Sequence, residues 1–416
     1  MSSDQVPHKA KILLLSGYDA ASHKHWRNIL EKNITEYDWT QIALPDRHFY
    51  WRVRGNSLSF AYQHREVLNQ HFDCLIVTSM VDLSALRGLL PKIATIPTLI
   101  YFHENQFAYP LTKNSNTNNS LIHAQLSSIY SLLCADRILF NSEHNKQTFF
   151  DGADKLLSKM PDLVPKNLLR KSLSKSKVVS VPIEREFFVG AAGNLNTSEN
   201  TDSKIQILWN HRWEFDKQPE VFFSALGRLK NEEFDFELNI IGQTFRQSPD
   251  CFELAKEEFE NEIVNWGFQQ RSDYHKILQR SDIVVSSALH DFQGLSMLEA
   301  IASGCIPVAP NRVAYPEYIA KEQLYEVSQS ELESNAEKSI AHETEQLFFK
   351  LKDTLEMIKW DSNNDQEKKG KASYNRGVNP TINLSQYGEA FLSDVYRTEI
   401  RKLISDDKNS YSESKK

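Results

Sequence analysis

The sequence predicts an α/β protein with two successive domains, each built on a parallel sheet. Three observations predict this. Short runs rich in β-branched and aromatic residues alternate with longer amphipathic stretches, which is typical of βα units. The alternation stops at one polar segment and then restarts. Finally, a chain of 416 residues exceeds the size at which one hydrophobic core usually suffices.

Eleven runs are predicted to be strands. Those of the first domain are KILLL (11–15), TQIAL (40–44), DCLIVTS (73–79), PTLIYF (97–102), RILF (137–140) and KVVSV (177–181). Those of the second are KIQILWN (204–210), FELNIIG (236–242), EIVNW (262–266), SDIVVSS (281–287) and CIPVAP (305–310). The segment GAAGNLNTSENTDS (190–203) has almost nothing to bury and is typical of a linker. We therefore predict one domain over 1–189 and another over 204–384.

The end of the chain is predicted to leave the second domain. The run SQYGEAFLSDVYRTEIRKLI (385–404) has helical character, and we expect this helix to pack across the domains. The residues that follow it, 405–416, are polar and charged and are predicted to be disordered.

Composition excludes several classes of protein. No run approaches the roughly 18 to 20 apolar residues of a membrane span, and the first residues lack the apolar core of a secretory signal. The four cysteines form no CxxC pair, which disfavours a zinc site or a disulfide framework and suits the cytoplasm. A formal charge of −7 does not suggest a general nucleic-acid binder, although a local basic surface would be compatible with it.

Several nucleotide-binding motifs are missing from the chain. None of the 14 glycines forms a GxG pair, which argues against NAD enzymes and P-loop NTPases. There is no DxD triplet, so a metal-bridged diphosphate has no obvious acidic ligands. If the chain binds a nucleotide, cationic side chains and helix N-termini must hold its phosphates.

A cationic loop, WNHRWEFDKQPE (209–220), follows the first strand of the second domain. Open α/β sheets bind ligands at the carboxyl ends of their strands, where His211, Arg212 and Lys217 are expected to lie. An arginine and a lysine form a suitable clamp for a diphosphate without metal. The alternative is that both pair with Glu214 and Asp216 on a solvated loop.

A second strand end carries HDFQGLSMLEA (290–300), with two acids eight residues apart. Gly294 would let the backbone approach a ligand, and a helix is predicted to begin near Leu295. Carboxylates at Asp291 and Glu299 would accept hydrogen bonds from sugar hydroxyls. The alternative, acids that favour a helix N-terminus, explains either residue singly but not their spacing.

The first domain offers two further strand ends. LIYFHENQFAYPL (99–111) places His103 and Glu104 after a strand, although a lone histidine is more often structural. LSGYDAASHKHW (15–26) places Gly17, Ser22 and His23 where a ligand is expected to bind.

Two basic regions are candidates for binding RNA. One lies within 155–177, and in the other, DRHFYWRVRGNSLSFAY (46–62), arginines alternate with aromatic residues. Arginine and aromatic side chains together suit stacking on unpaired bases. A solvated face beside core aromatic residues is the alternative interpretation.

These motifs together resemble the retaining GT-B glycosyltransferases of the family-4 type, in which two Rossmann-like domains face a cleft. The two acids correspond to that family's E-x7-E motif, with Asp291 in the first place. A closer resemblance, from about residue 12 to about 320, is to the tRNA-queuosine α-mannosyltransferases. Its segments are ASHKHW, LPDRHFYWRVRGNSLSF, YFHENQFAYPL, FNSEHNKQTF, WNHRWEFDKQPEVFF, IIGQTF and NWGF.

The resemblance implies transfer of mannose from GDP-mannose, with retention, to the cyclopentenediol of queuosine in a tRNA anticodon loop. Arg212 and Lys217 would neutralise the leaving diphosphate. Glu299 would bind the ribose of GDP, and Asp291 would hold the mannose. The other donor-side residues would be His211, Phe292, Gly294 and Leu295, with Gly242, Trp266 and Phe268 near the guanine.

The resemblance also assigns residues to the acceptor side. His103 would touch the sugar from across the cleft, as a catalytic residue with Asp291. The acceptor would be bound by Gly17, Ser22, His23, Glu104 and Asn105. Independently of the resemblance, the two basic regions supply the residues predicted to bind RNA, which are Arg47, Arg52, Arg54, Lys166, Arg170 and Lys171.

No side chain stands out as a covalent nucleophile, so the resemblance implies a front-face route in which the departing phosphate takes the acceptor proton. Neither a metal nor another cofactor is expected, and no obligate protein partner is evident. In the family pattern Asp291 is usually Glu, which leaves the choice of hexose open. The alternatives are a GT-B enzyme that uses another nucleotide-sugar on a glycan or lipid carrier, and a non-catalytic RNA-binding scaffold.

Overall fold

A computed structural model describes residues 9–108, 118–188, 204–244, 248–327, 336–364 and 383–413. It divides into two compact units, Met1–Pro182 with Ser385–Lys416, and Ile183–Leu384. The predicted linker at 190–203 lies outside the described residues. Among those described, no helix is both long enough and apolar enough to cross a membrane.

The first unit contains a six-stranded sheet whose paired strands are all parallel, as the sequence predicted. Its strands are β1 (Lys11–Ser16), β2 (Asp38–Ala43), β3 (Cys74–Thr78), β4 (Thr98–Phe102), β5 (Arg137–Phe140) and β6 (Ser176–Val178), in the order β2-β1-β3-β4-β5-β6. Its helices are α1 (Ala21–Asn33), α2 (Phe49–Gln63), α3 (Arg65–Leu68), α4 (Leu83–Leu89), α5 (Pro91–Ala94), α6 (Asn118–Leu133), α7 (Glu143–Leu157) and α8 (Arg170–Lys175).

The central strands of this sheet are buried over their whole length. Every residue of β3 and β4 is buried. A parallel sheet with helices on both faces requires such near-continuous apolar strands, which is why the sequence identified them. Because β1, β3 and β4 are adjacent and parallel, their carboxyl ends at Ser16, Thr78 and Phe102 lie side by side.

The second unit repeats this architecture. Its parallel strands are β7 (Ile205–Trp209), β8 (Phe236–Ile241), β9 (Ile263–Gly267), β10 (Ile283–Val285), β11 (Ile306–Pro310) and β12 (Leu324–Tyr325), in the order β12-β11-β10-β7-β8-β9. Its helices are α9 (Pro219–Asn231), α10 (Cys251–Glu258), α11 (Arg271–Arg280), α12 (Leu295–Ala302) and α13 (Ala336–Asn364). The two-residue strand β12 was not predicted from the sequence.

The last helix, α14 (Glu389–Glu413), belongs to the first unit and packs on α1, β3 and β4. The buried Tyr396 hydroxyl donates to the Ser180 carbonyl oxygen at 2.9 Å, and Lys177 pairs with Glu399 at 2.6 Å. The prediction of disorder from residue 405 was wrong for 405–413, which continue the helix. The remaining residues, 414–416, lie outside the described part of the chain.

Candidate active site

Two loops of the second unit meet because their strands pair. Strand β7 ends at Trp209 and β10 at Val285, and the two strands are parallel neighbours in the sheet. The loops that follow them, 210–218 and 286–294, therefore leave the same edge of the sheet. This is the edge at which open α/β sheets bind their ligands.

Lys217 connects these loops. Its side chain is only 7% exposed, and its Nζ donates to the His290 carbonyl oxygen at 2.6 Å. The same Nζ lies 3.5 Å from Asp291 Oδ2 and 3.7 Å from Asp216 Oδ2. A buried ammonium requires such partners, so Lys217 holds a fixed positive charge between the two strand ends.

Arg212 has a different environment. Its side chain is 45% exposed, and it pairs with Glu214 at 2.5 Å and more distantly with Asp216. The alternative of a solvated, ion-paired loop therefore describes Arg212 but not the buried Lys217. Exposed pairs of this kind contribute little to stability, so Arg212 can exchange its partner for a ligand at low cost.

Asp291 is held by both of its carboxylate oxygens. Oδ1 accepts the Gly294 backbone N–H at 2.9 Å, and Oδ2 accepts the Tyr315 hydroxyl at 3.2 Å. Burial acts to raise the pKa of Asp291, but the positive charge of Lys217 leads a set of interactions that hold it below its usual value. Asp291 is therefore a charged side chain whose hydrogen bonds hold the loop in place. Its contact with a sugar stays a prediction.

Gly294 begins helix α12 in a conformation that favours glycine. Its φ is 75°, and a Cβ at this position would lie 2.4 Å from Tyr318 Oη and 2.9 Å from Tyr315 Cε1. The predicted helix start at Leu295 is confirmed. The tight turn directs the first backbone N–H groups of α12 toward the strand ends, where an anion is favoured.

Glu299, one turn into α12, is buried and accepts the Tyr274 hydroxyl at 2.7 Å. Asn210 Nδ2 donates to Tyr274 Oη at 3.3 Å and to the Ser296 carbonyl oxygen at 2.9 Å. Burial, and then the charge of Glu299, hold the pKa of Tyr274 well above its usual value, so this hydroxyl remains a donor. The sequence analysis selected neither Tyr274 nor Asn210. Nothing in the sequence pointed to Tyr274, but Asn210 follows a strand directly, so the rule that selected His211 could also have selected Asn210.

His211 is a neutral side chain at the end of β7. Burial, followed by the charge of Lys217, lowers its pKa to about 3. The backbone around it is tightly packed, because a Cβ on Gly242 would lie 1.8 Å from the His211 carbonyl oxygen. Gly242 has a φ of 149° and allows this approach between the β7 and β8 loops.

The aromatic residues predicted for the donor side differ in exposure. Phe268 is 65% exposed, whereas Trp266 is half-buried and lies edge-on to Trp213 at 4.9 Å. Phe292 is buried and contacts His290 at 4.5 Å. Phe268 is thus the member of this group with a large accessible ring face.

In the first unit, His103 lies in an aromatic cluster at the end of β4. Its ring stacks on His23 at 3.9 Å and meets Trp26 and Tyr101 edge-on at 5.0 and 4.6 Å. Burial, then the neighbouring His23 and His25, hold the pKa of His103 well below its usual value. His103 therefore remains neutral near pH 7.

Several predicted acceptor-side residues lie together around this cluster. His23 Nε2 is 2.8 Å from Glu104 Oε2, and Ser79 donates to the other oxygen of Glu104 at 3.2 Å. Gly17 N–H donates to Thr78 Oγ1 at 3.2 Å. Ser22 is half-buried in the first turn of α1.

Asn105 has a structural environment. It is 1% exposed, its amide donates to Asn145 and Thr148, and its oxygen accepts the Phe107 and Ala108 backbone N–H groups. These bonds fix the loop after β4, and a role of Asn105 toward the acceptor stays a prediction.

The predicted RNA-binding residues are at the surface of the first unit. Arg47, Lys166, Arg170 and Lys171 are exposed. Arg54 pairs with Asp82 at 3.0 Å but keeps 57% of its side chain exposed. Arg52 donates to the Pro45 carbonyl oxygen at 3.3 Å.

Comparison with solved structures shows that the chain has the GT-B fold. A glycosyltransferase from Rickettsia africae aligns with a TM-score of 0.58 at 16% identity, over 95% of this chain and 99% of that one. Sucrose-phosphate synthase from Thermosynechococcus elongatus gives 0.57 at 12%, over 97% and 98%. Anabaena HepE, solved with UDP, gives 0.53 at 12%, over 83% and 100%.

Comparison of sequences shows the family. Residues 11–183 match the family model of the tRNA-queuosine alpha-mannosyltransferase N-terminal region, and 195–356 match glycosyl transferases group 1. The tRNA-queuosine alpha-mannosyltransferase of Drosophila melanogaster is 34% identical over 324 residues, which are 77% of this chain and 84% of that protein. The resemblance found in the sequence is thereby confirmed: the chain is a glycosyltransferase and belongs to the tRNA-queuosine α-mannosyltransferase family.

Proposed function

We propose that the protein transfers mannose from GDP-mannose to the cyclopentenediol of queuosine in a tRNA anticodon loop, with retention and without a metal ion. The observation that carries the donor half is the buried Lys217, fixed between the β7 and β10 loops beside Asp291. The acceptor half is supported by the 34% identity to the Drosophila tRNA-queuosine alpha-mannosyltransferase.

Lys217 supplies the charge that the leaving diphosphate requires. As the bond from the anomeric carbon to the phosphate oxygen breaks, negative charge accumulates on the diphosphate. A preorganised cation in a water-poor site stabilises that charge more strongly than one in solution. Arg212, whose side chain is 45% exposed and whose pair with Glu214 can be exchanged for phosphate at low cost, adds a second cation from the same loop. The N–H groups of α12 contribute the dipole of a helix start.

The sugar transfer follows a front-face route in this proposal. The acceptor hydroxyl oxygen forms its bond to the anomeric carbon on the face that the diphosphate leaves, and its proton passes to the departing phosphate oxygen. The neutral His103 is suited to a hydrogen bond with a sugar hydroxyl, because it brings no charge to a site where the sugar becomes cationic. Glu299, fixed by Tyr274, binds the ribose of GDP.

The test is incubation of the protein with queuosine-containing tRNA and a panel of nucleotide-sugars, with and without EDTA. Mass analysis of the released nucleosides shows whether a hexose has been added and to which base, and the nucleotide-sugar that supports transfer identifies the hexose. We expect a hexose added to queuosine from GDP-mannose, at an unchanged rate in EDTA. Transfer only from another nucleotide-sugar, transfer to a glycan or lipid carrier instead, or loss of activity in EDTA would contradict the corresponding part of the proposal.

A further inference from the structure

Helix α2 of the first unit has an apolar stripe that faces solvent. Trp51, Leu58 and Tyr62 are 54%, 46% and 66% exposed. They are seven and four residues apart, so they lie on one side of the helix. The opposite side carries the buried residues Ser57 and Phe60. An exposed apolar stripe on the outer side of a helix is typical of a surface that binds a ligand or another macromolecule.

The Trp51 indole is held in place by a glycine one turn further along. A Cβ on Gly55 would lie 2.5 to 2.6 Å from three atoms of that ring. The indole therefore packs directly over the bare helix backbone at Gly55, and more than half of its surface remains open. A flat, fixed and accessible ring is the geometry that stacking on a planar ligand needs, since little freedom is lost on binding.

The charge around this ring identifies the class of ligand. Residues 47–65 contain four arginines and two histidines but no acidic residue, in a chain whose formal charge is −7. Arg54, three residues after Trp51, pairs with the buried Asp82 and still exposes 57% of its side chain. A cationic surface beside an open aromatic ring favours a polyanion with planar groups over an apolar protein partner.

We propose that the α2 face binds the unpaired loop of the tRNA, with the Trp51 indole stacked on one base and Arg52 and Arg54 facing the phosphates. This inference rests on the proposed function for the identity of the RNA. Stacking recognises a base that is free of its partner strand, so the face distinguishes a loop from a duplex. The arginines of this face bind a loop and a duplex alike, because both carry the charge of the phosphate backbone.

Two substitutions test the ring from opposite directions. Trp51→Ala removes it, and Gly55→Ala displaces it with a methyl group while placing a better helix former in α2. We expect each to weaken the binding of a stem-loop RNA about tenfold. Trp51→Phe, which keeps an aromatic face, is expected to retain most of the affinity. Phe391→Ala, which removes an equally exposed ring from α14, is the matched control.

The readout is fluorescence anisotropy with two RNAs of equal length and charge, one a stem-loop with the tRNA anticodon sequence and one fully paired. In Trp51→Ala the preference for the stem-loop should disappear while the salt dependence persists, whereas Arg52→Ala should flatten the salt dependence for both RNAs. Unchanged stem-loop affinity in Trp51→Ala and Gly55→Ala, or equal losses on both RNAs, would overturn the inference.

Turnover separates this inference from the proposed function. If the wild-type protein modifies queuosine tRNA and Trp51→Ala does so with an unchanged KM, the stacking role is contradicted and the proposed function is supported. If the wild type modifies no tRNA but its preference for the stem-loop depends on Trp51, the proposed acceptor is contradicted and the stacking role is supported.

Discussion

At the scale of single residues, the proposed donor site depends on which charged side chains are buried. Lys217 and Arg212 are five positions apart in one loop, yet the side chain of Lys217 is 7% exposed and that of Arg212 is 45% exposed. The sequence predicted both as cations at a strand end, because that rule depends only on strand positions. It did not distinguish them, because burial of Lys217 results from the pairing of β7 with β10 and from the approach of His290.

Lys217→Met should lower the rate of sugar transfer by about a hundredfold or more, since it removes a preorganised charge from the leaving group. Arg212→Ala is the matched comparison and should cost less, because that side chain is already solvated. Single-turnover kinetics with saturating donor measures both. Near-normal turnover in Lys217→Met would remove Lys217 from the diphosphate site.

The same substitution has a consequence for acid stability. The pKa of Asp291 is lowered in the folded protein, so Asp291 stabilises the fold above its unfolded pKa, near 4, and that contribution is lost as the pH falls through the folded value. Without Lys217 the folded pKa rises toward the unfolded one or above it, because burial then dominates, so Asp291 contributes less stability at neutral pH and less is lost on acidification. Thermal melts from pH 3 to pH 7 should show Lys217→Met losing less stability on acidification than Arg212→Ala does, because Arg212→Ala keeps the lowered pKa of Asp291.

The proposed function gives Tyr274 the role of a positioning residue, because its hydroxyl donates to Glu299, the residue proposed to bind the ribose. Tyr274→Phe removes the hydroxyl bound to the carboxylate, and we expect GDP to bind roughly tenfold more weakly. Deoxy analogues of GDP that lack the ribose hydroxyls should bind the variant and the wild type alike, because they do not use Glu299. Tyr396→Phe, which loses its hydrogen bonds in the other unit, controls for a general loss of stability. Equal losses for GDP and its deoxy analogues would contradict this role.

At the scale of elements, the sequence predicted the loops better than it predicted their contacts. The strand ends and the start of α12 followed from apolar runs and a glycine. Strand β12 was not predicted because two residues carry no periodicity. The extension of α14 was not predicted because residues 405–413 are mostly polar. The role of Tyr274 was not predicted because its contact with Glu299, 25 positions away, depends on the packing of α11 on α12.

Gly294 is the element-scale feature most open to test. Gly294→Ala places a methyl group against Tyr318 and Tyr315 and forces an L side chain into a positive φ, which costs about 1 to 2 kcal/mol before any clash. We expect lower stability and loss of turnover, because Tyr315 is displaced from Asp291. Chemical denaturation and turnover measure the two effects.

A double variant separates the clash from the backbone strain. Tyr318→Phe removes the oxygen nearest to the new methyl group, so Gly294→Ala/Tyr318→Phe should recover part of the stability lost in Gly294→Ala. Strict additivity of the two substitutions would show that the contact with Tyr318 does not limit this position.

At the scale of the whole molecule, the chain forms two α/β units, and its last helix returns to the first. Helix α14 buries Leu392, Tyr396, Ile400 and Leu403, with Tyr396 close to Trp26 and Tyr101. Those two rings also surround His103. The C-terminal helix therefore completes the packing behind the predicted acceptor-side cluster, a long-range contact that strand-end rules do not contain.

Tyr396→Ala should destabilise the first unit by about 3 to 5 kcal/mol, since it removes a fully buried ring and its hydrogen bonds to the carbonyl oxygens of Val179 and Ser180. The loops proposed to bind the donor lie in the second unit, so GDP affinity at low temperature should stay near that of the wild type. Calorimetry should show a transition at lower temperature that GDP does not raise, and a second transition that GDP does raise. A single GDP-stabilised transition shifted as a whole would show instead that the two units unfold together.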